Sequence, residues 1–342
     1  MKDEKSEKKD QIIGLGLVSG GLDSLTACLL LQLQGTKVIG LNFTSPFCQY
    51  DKKTSQPDCN LDLFQEKLGI ELHYLPLKDD FLEIIQNPKF GYGKHLNPCI
   101  DCRIYILKKA KELMKEIGAD LIFTGEVLNQ RPKSQHMRAL MIVEKETGLE
   151  GRLLRPLSAL QLKPTIYEER GLIDRKQLLG IKGRGRKIQM DLARTHGLLD
   201  NYYACGGCLL TDENFANRMK DYLKFHKNPK IEDINILKVG RHFRYKNTKI
   251  IVGRNESENN KLLTLKKPND FIFEAKGVPG PITIVQEDYS KNSLKYAATL
   301  TLRYSDFKQL KGQVIYGTDY NKLTEEMTIK IENDKILKHY LL

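Results

Sequence analysis

The feature that most constrains the fold is a glycine-rich turn after a short apolar run near the start of the chain. Residues 12–18 are apolar or glycine, and apolar side chains recur at helical spacing over residues 25–33. This order predicts a buried strand, a tight turn and a helix. The turn consists of Ser19, Gly20, Gly21, Leu22, Asp23 and Ser24. Its two glycines and the helix amino terminus favour binding of a phosphate, with Asp23 holding Mg²⁺ beside it.

Further strand and helix patterns alternate after this turn. Residues 38–43 and 70–75 form apolar runs, a helical pattern covers 98–117, and 120–124 is a short buried run. Such alternation predicts an α/β fold with a doubly wound parallel sheet. Thr124 and Gly125 would lie at the carboxyl end of a strand, where ligands of these sheets bind, so we expect them to contact a nucleotide.

The pattern changes near residue 228. Short strands are predicted at 236–239, 243–245, 249–252, 271–274, 282–285, 313–316 and 327–331, with one helix at 293–303. These elements predict a smaller carboxyl-terminal α+β domain. We therefore expect a flexible tail at residues 1–10, an α/β domain at 11–227 and the second domain at 230–342.

The seven cysteines include two C-x-x-C pairs, Cys99 with Cys102 and Cys205 with Cys208. With Asn97 as helix cap, the first pair lies in the first helical turn, which favours thiolate. Two such pairs predict a metal site, in which four thiolates suit structural zinc and three suit a catalytic [4Fe–4S] cluster.

Two further cysteines, Cys48 and Cys59, flank a polar loop after the second predicted strand. They are either incidental loop residues or neighbours of the active site. The pattern alone leaves both readings open.

The chain carries a formal net charge of +12, with a pI near 9.2, which favours a polyanionic partner. Lys182, Arg184 and Arg186 form a glycine-spaced basic loop suited to RNA. No apolar run approaches the ~20 residues of a membrane span, and the mixed-charge start resembles no signal peptide. We expect a cytoplasmic protein without a membrane partner.

The hexad at residues 19–24 resembles the PP-loop of the ATP pyrophosphatases, which have the adenine nucleotide alpha hydrolase-like fold. Together with N-P-C-x-x-C at 97–102, the turn at 124–135 and G-G-C-L-L-T-D at 206–212, it is similar to the tRNA thiolation branch. The resemblance covers residues 11–225 and is strongest to 4-thiouridine synthases and 2-thiouridylases.

This resemblance implies a tRNA sulfurtransferase that uses ATP and Mg²⁺ to adenylate a uridine oxygen and a sulfide or persulfide donor to replace it. It implies 4-thiouridine as product, with 2-thiouridine as the alternative. By position, Cys99, Cys102 and Cys208 would hold a [4Fe–4S] cluster and act in catalysis with Asp23, with Cys205 as a spare ligand.

Residues 230–342 resemble the RNA-binding NFACT-R domain, on motifs such as V-G-R-H-F-R at 239–244 and V-G-R-N-E at 252–256. The basic residues Arg241, Arg244, Lys249 and Arg254, with Phe243 and Tyr245 between them, would give phosphate contacts and a stacking surface for RNA, and the alternative is a charged edge of a small sheet. The sequence lacks the THUMP and rhodanese modules of the 4-thiouridine synthase pattern, so the modified position and the sulfur route stay open.

Two other hypotheses remain. The first is a PP-loop enzyme that acts on a small molecule and has a four-cysteine zinc site, as in queuosine-pathway nitrile synthases. The second is a non-catalytic RNA-binding factor with a degenerate nucleotide site.

Overall fold

The computed structural model describes residues 11–48, 60–199, 202, 207–286, 288–330 and 339–342. The chain divides into two compact units, Met1–Thr211 and Asp212–Leu342. The helix Glu213–Phe225, which the sequence analysis assigned to the first domain, belongs to the second unit. Its Asp221 forms ion pairs with Arg244 and Lys249 of that unit.

The first unit is built on a parallel sheet of the order β3-β2-β1-β4-β5 among the described residues. The strands are β1 (Ile13–Leu17), β2 (Lys37–Thr44), β3 (Glu71–Pro76), β4 (Leu121–Thr124) and β5 (Leu153–Leu154). The helices are α1 (Leu22–Gln32), α2 (Leu61–Glu66), α3 (Asp80–Gln86), α4 (Cys99–Glu116), α5 (Met137–Thr147), α6 (Ile166–Glu169) and α7 (Lys187–Thr195). The predicted α/β class is confirmed.

Two apolar layers cover the two faces of this sheet. One layer joins α1, α2 and α7 to side chains such as Phe123, and the other joins α4 and α5 to side chains such as Leu15 and Ile122. Gly16 of β1 lies opposite Phe123 of β4, and a β-carbon on Gly16 would be 2.4 Å from the Phe123 ring. The sheet therefore needs a glycine at its centre.

The second unit has a six-stranded antiparallel sheet of the order β11-β10-β8-β9-β7-β6 among the described residues. Its strands are β6 (Arg241–Tyr245), β7 (Thr248–Val252), β8 (Phe271–Ala275), β9 (Thr283–Gln286), β10 (Lys311–Gly317) and β11 (Glu325–Lys330). Its helices are α8 (Glu213–Phe225), α9 (Glu256–Leu265) and α10 (Lys291–Arg303), and α10 packs on the sheet. This is the predicted α+β domain.

The strand predicted at residues 236–239 is wrong. The segment lies in a 3₁₀ helix, Glu232–Lys238, in which Ile234 and Leu237 are buried three residues apart. This spacing matches a 3₁₀ turn and not the alternation of a strand. No helix in the described part of the chain is long and apolar enough to cross a membrane.

We predict that Gly16→Ala lowers the free energy of unfolding by about 1–3 kcal/mol, because the added methyl group overpacks the core against Phe123. Gly185→Ala is the matched control, since no atom lies within 4 Å of its added carbon. Urea titrations followed by circular dichroism measure both variants. Equal midpoints for the two variants would contradict the close packing of β1 and β4.

Candidate nucleotide and thiol site

The hexad forms the expected turn between β1 and α1. Gly20 has a φ of +73°, which favours glycine, and the helix begins at Leu22. The Ser24 hydroxyl donates to the Gly21 carbonyl at 2.8 Å, and the Asn60 amide donates to the Gly20 carbonyl at 3.0 Å. The Ser19 amide in turn donates to the Ser24 hydroxyl at 3.3 Å. Polar side chains therefore hold the turn in shape.

Asp23 lies in the first turn of α1, and two glutamines hold its carboxylate. Gln130 Nε2 donates to Oδ2 at 2.9 Å, and Gln189 Nε2 donates to Oδ1 at 3.2 Å. Gln130 follows β4, whereas Gln189 lies in the first turn of α7. The two amides fix the orientation of Asp23 from two separate elements. Gln130 lies in a turn that the motif analysis covers, but no local motif marks Gln189.

The donors around Asp23 fit Mg²⁺. A carboxylate only accepts hydrogen bonds, so the Gln189 amide nitrogen must face it and Oε1 must face away. That oxygen is buried and has no hydrogen-bond partner among the described residues. Magnesium prefers carboxylate and other oxygen ligands and keeps part of its water shell. Asp23 supplies the carboxylate, and the two glutamine amides hold it in place.

The end of β4 packs directly against the hexad. A β-carbon on Gly125 would lie 2.6 Å from backbone atoms of Asp23 and Ser24, so no larger residue fits there. The Thr124 hydroxyl is buried and donates to Glu126 at 3.2 Å. Gly125 thus adjoins the predicted nucleotide site through its backbone, whereas the Thr124 side chain is engaged by Glu126.

Glu126 is buried between two arginines. Arg155 Nε donates to Oε2 at 3.1 Å, and Arg103 Nε lies 3.0 Å from Oε1 without the alignment of a hydrogen bond. Burial raises the pKa of Glu126, but the charges of Arg103 and Arg155 outweigh it and hold the pKa below the ordinary value. Arg155 also pairs with Glu144. This network could not be predicted from the sequence, because its members are far apart in the chain.

The structure brings the three predicted sulfur ligands into one neighbourhood. Cys99 and Cys102 begin α4, and Cys208 interacts electrostatically with both. Cys48 joins them, since it pairs with Cys208 in an isolated antiparallel bridge and also interacts with Cys102. Cys59 and Cys205 lie outside the described residues.

Burial dominates the titration of these thiols. It raises the pKa of Cys102 and of Cys208 to about 12, and it raises the pKa of Cys99 against the opposing charges of Arg131 and Arg103. The expectation that the start of α4 favours thiolate is therefore wrong for the metal-free chain. The predicted cap is wrong as well: Asn97 accepts a hydrogen bond from the Cys99 thiol at 2.7 Å, and α4 begins after Pro98.

The described thiols are chemically suited to bind a metal, but their arrangement in the structure does not form a metal-binding site. Among the described residues, no group of three or more His, Cys, Asp or Glu side chains has an arrangement that could hold an ion. Four neighbouring thiols are nevertheless the donors that zinc and iron–sulfur clusters select. The donor set, though not its present geometry, supports a sulfur-ligated metal.

The basic loop lies beside the turn that follows β4. The Gly183 amide donates a hydrogen bond to the Leu128 carbonyl at 2.7 Å, and Leu128 forms an isolated parallel β-bridge with Lys182. The side chains of Lys182, Arg184 and Arg186 are exposed. Three cations are therefore available close to the turn that carries Gln130.

In the second unit, Arg244 differs from its predicted role. Its guanidinium makes two hydrogen bonds to Asp221, at 2.7 and 2.8 Å, and lies over the Phe225 ring. Lys249 is also buried, and its Nζ lies 2.7 Å from Oδ2 of the same Asp221 carboxylate. Asp221 balances one of the two positive charges, and both side chains are nearly buried, at 9% and 3% exposure, so neither lies open at the surface for RNA.

Arg241 and Arg254 are the other two predicted RNA contacts. Arg241 is half-buried and lies 4.6 Å from the centre of the Tyr304 ring, which forms a cation–π contact. Arg254 is exposed and pairs with Glu258 at 2.6 Å. Arg254 therefore lies at the surface with its charge partly balanced.

We predict that Glu126→Gln lowers the free energy of unfolding by about 3 kcal/mol, because it leaves the buried Arg155 and the partly buried Arg103 without their shared anion. The pKa of Glu126 is lower in the folded than in the unfolded protein. The ionised carboxylate therefore stabilises the fold at pH values above the unfolded pKa, and this stabilisation is lost as the pH falls through the folded pKa. Denaturation titrations at several pH values should show that the difference in unfolding free energy between wild type and variant decreases below pH 4.5, the ordinary pKa of a glutamate.

Glu146→Gln is the control for this prediction, because Glu146 pairs with Lys89 at the surface. It should leave the denaturation midpoint unchanged. An equal loss in both variants, or a loss in Glu126→Gln that does not depend on pH, would contradict the role given to the buried ion pairs.

Two family models match the chain. Residues 10–168 match the model described as thiamine biosynthesis protein (ThiI), and residues 240–341 match the NFACT protein RNA binding domain, NFACT-R_2. The first match covers residues 11–168 of the segment 11–225 that resembles PP-loop thiolases and does not reach the motif at 206–212, and the second covers most of the segment 230–342 that resembles NFACT-R domains.

The chain is also similar to tRNA-specific 2-thiouridylases named MnmA. That of Pelobacter propionicus is 34% identical over 156 residues, which are 44% of this chain and 43% of the relative. That of Methylobacillus flagellatus is 28% identical over 229 residues, 63% of this chain and 58% of the relative. The chain therefore spans less than two thirds of the length of either relative.

Among solved structures, the crystal structure of a 4-thiouridine synthetase–RNA complex with bound ATP aligns with a TM-score of 0.39. The alignment is 18% identical and covers 66% of this chain and 52% of the other.

Proposed function

We propose that this chain, which joins a ThiI-type PP-loop domain to an NFACT-type RNA-binding domain, is an ATP-dependent tRNA sulfurtransferase. In this proposal it activates a uridine carbonyl with ATP and replaces the oxygen with sulfur. The product of first choice is 4-thiouridine, and 2-thiouridine is the alternative.

One observation carries the proposal: an unbroken series of contacts connects the hexad to the thiols. Gly125 packs on the backbone of Asp23, and the next residue, Glu126, pairs with Arg103. Arg103 directly follows Cys102 in α4. A nucleotide on the hexad and a sulfur species on the thiols would therefore be neighbours, as sulfur transfer to an adenylated base requires.

The hexad is suited to bind the phosphates of ATP. The turn offers backbone amides at the start of α1, where the helix dipole favours an anion. Asp23, oriented by Gln130 and Gln189, would hold Mg²⁺, which neutralises charge on the leaving pyrophosphate. Two amides of the turn are already engaged, that of Ser19 by the Ser24 hydroxyl at 3.3 Å and that of Leu22 by the Tyr202 hydroxyl at 3.1 Å.

Adenylation addresses the main chemical difficulty of the reaction. A carbonyl oxygen is a very poor leaving group. In the proposed reaction it attacks the α-phosphate, pyrophosphate departs, and the oxygen becomes part of a phosphate ester. Sulfur then bonds to the same ring carbon, and AMP leaves with the original oxygen.

For the sulfur step we propose Cys99, Cys102 and Cys208 as the residues that hold a [4Fe–4S] cluster. Such a cluster supplies, when bound, an iron without a protein ligand that can accept sulfide. The sulfur itself would come from a separate sulfide or persulfide donor. Because thiol ligands need a reducing compartment, we propose a cytoplasmic location.

The exposed loop cations Lys182, Arg184 and Arg186 are the proposed tRNA contacts of the first unit. Phosphate contacts of this kind supply affinity that falls steeply with salt. In the second unit, Arg241 and Arg254 keep this proposed role. Arg244 is withdrawn from it because Asp221 engages its guanidinium.

A structural zinc site with a small-molecule substrate is the second candidate function. The observation that favours it is Cys48, which brings the described thiols in this neighbourhood to four, the number that structural zinc prefers.

Metal analysis separates the two candidates. We expect about four irons and four sulfides per chain after anaerobic purification, as a [4Fe–4S] cluster requires. Single alanine variants of Cys99, Cys102 and Cys208 should lose them, whereas Cys48→Ala and Cys205→Ala should keep them. One zinc per chain that depends on four cysteines would instead support the small-molecule enzyme.

We predict that Asp23→Ala lowers thiolation of tRNA by roughly a hundredfold or more while tRNA affinity stays nearly intact. Mass spectrometry of digested tRNA measures thiolation and identifies the thiolated position, and a filter-binding titration measures affinity. Asp62→Ala is the matched control, since Asp62 is an exposed acid in the first turn of α2. Equal loss of thiolation and affinity would contradict the separate roles of the hexad and the basic surface.

A further inference from the structure

Cys48 and Cys208 face each other across a short antiparallel bridge. The Leu209 amide donates to the Phe47 carbonyl at 2.7 Å, so the hydrogen bond joins the residue after Cys208 to the residue before Cys48. In antiparallel pairing, this pattern flanks a non-hydrogen-bonded pair. The Cα atoms of such a pair lie about 4.5 Å apart, and their side chains are closer than in the alternative pair.

This separation meets the requirement for a disulfide. Bridged cysteines have Cα atoms roughly 4.4–6.8 Å apart, so an S–S bond needs no large backbone shift here. Neither residue is in a disulfide in the structure, Cys48 is exposed and Cys208 is partly exposed. Cys99 and Cys102 interact with this pair electrostatically, but they lie on α4 and not opposite either residue.

We propose that Cys48 and Cys208 form a redox-active dithiol, which a low-molecular-weight disulfide converts into an intramolecular disulfide. The Cys48 thiol loses its proton, and its sulfur attacks the small disulfide: the S–S bond of the small molecule breaks, a mixed disulfide forms, and one small thiol leaves with a proton. The Cys208 thiol then gives up its proton and attacks the Cys48 sulfur, the mixed disulfide bond breaks, and the second small thiol leaves with a proton. The two protein thiols are oxidised, and one small disulfide is reduced to two thiols.

The consequence for the sulfur site rests on the proposed function. A Cys208 sulfur bound to Cys48 is no longer available as a metal ligand. Disulfide formation and metal binding therefore exclude each other, and oxidation switches the sulfur site off while leaving Asp23 and the hexad in place.

Disulfide mapping of the full chain tests the dithiol. The metal-free protein is equilibrated with mixtures of oxidised and reduced glutathione, quenched with acid, alkylated and digested. We expect a linked peptide pair that contains Cys48 and Cys208, with the loss of two alkylatable thiols. Cys48→Ser should abolish this link, and Cys102→Ser, Cys59→Ser and Cys205→Ser should each keep it.

A link from Cys48 to Cys59, Cys102 or Cys205, or complete alkylation of both thiols at every ratio, would overturn the proposal. Circular dichroism of each variant confirms that it is folded. The mapping requires neither ATP nor tRNA, so its result is separate from that of the sulfurtransferase assay. In metal-loaded protein the yield of the linked peptide should fall severalfold, and an unchanged yield would refute the competition for Cys208.

Discussion

Gly125 lies so close to the backbone of Asp23 and Ser24 that a β-carbon would be 2.6 Å from three of their atoms. The contact joins the ends of two adjacent parallel strands, β1 and β4, at the edge of the sheet where ligands of this fold bind. It places the turn after β4 on the phosphate turn after β1. From that turn Gln130 reaches Asp23 and Glu126 reaches Arg103. The geometry of the whole site therefore depends on one position where only glycine fits.

The buried ion pairs of Glu126 extend this contact toward the thiols. A buried carboxylate between two guanidiniums is held in a narrow range of positions, because any displacement leaves charge unpaired in a poorly solvated place. Arg103 belongs to α4, whose first turn carries Cys99 and Cys102. The ion pairs thus tie the start of α4 to the strand end that touches the hexad. Such rigid support is what a reaction between two neighbouring sites requires.

Local features of the fold could be predicted from the sequence. The strand, glycine turn and helix at residues 12–33 form over neighbouring residues, and the parallel sheet follows from their repetition. The contacts of Asp23 could not be predicted in this way, since Gln189 lies 166 residues along the chain. Arg244 shows the same limit for charge, because its position in a basic motif does not reveal that Asp221 of α8 pairs with it. The pairing of Cys48 with Cys208 is equally non-local.

The thiols show how burial and function oppose each other at this site. Burial raises the pKa of Cys102 and Cys208 to about 12, so the metal-free side chains are protonated at neutral pH. A metal binds thiolate, and its binding must therefore release protons from the site. Arg103 and Arg131 partly offset the burial of Cys99, and Arg103 is also the partner of Glu126. Arg103 therefore has two roles: it pairs α4 with the strand end next to the hexad, and its charge lowers the cost of forming the Cys99 thiolate. This one side chain connects the nucleotide and thiol halves of the site.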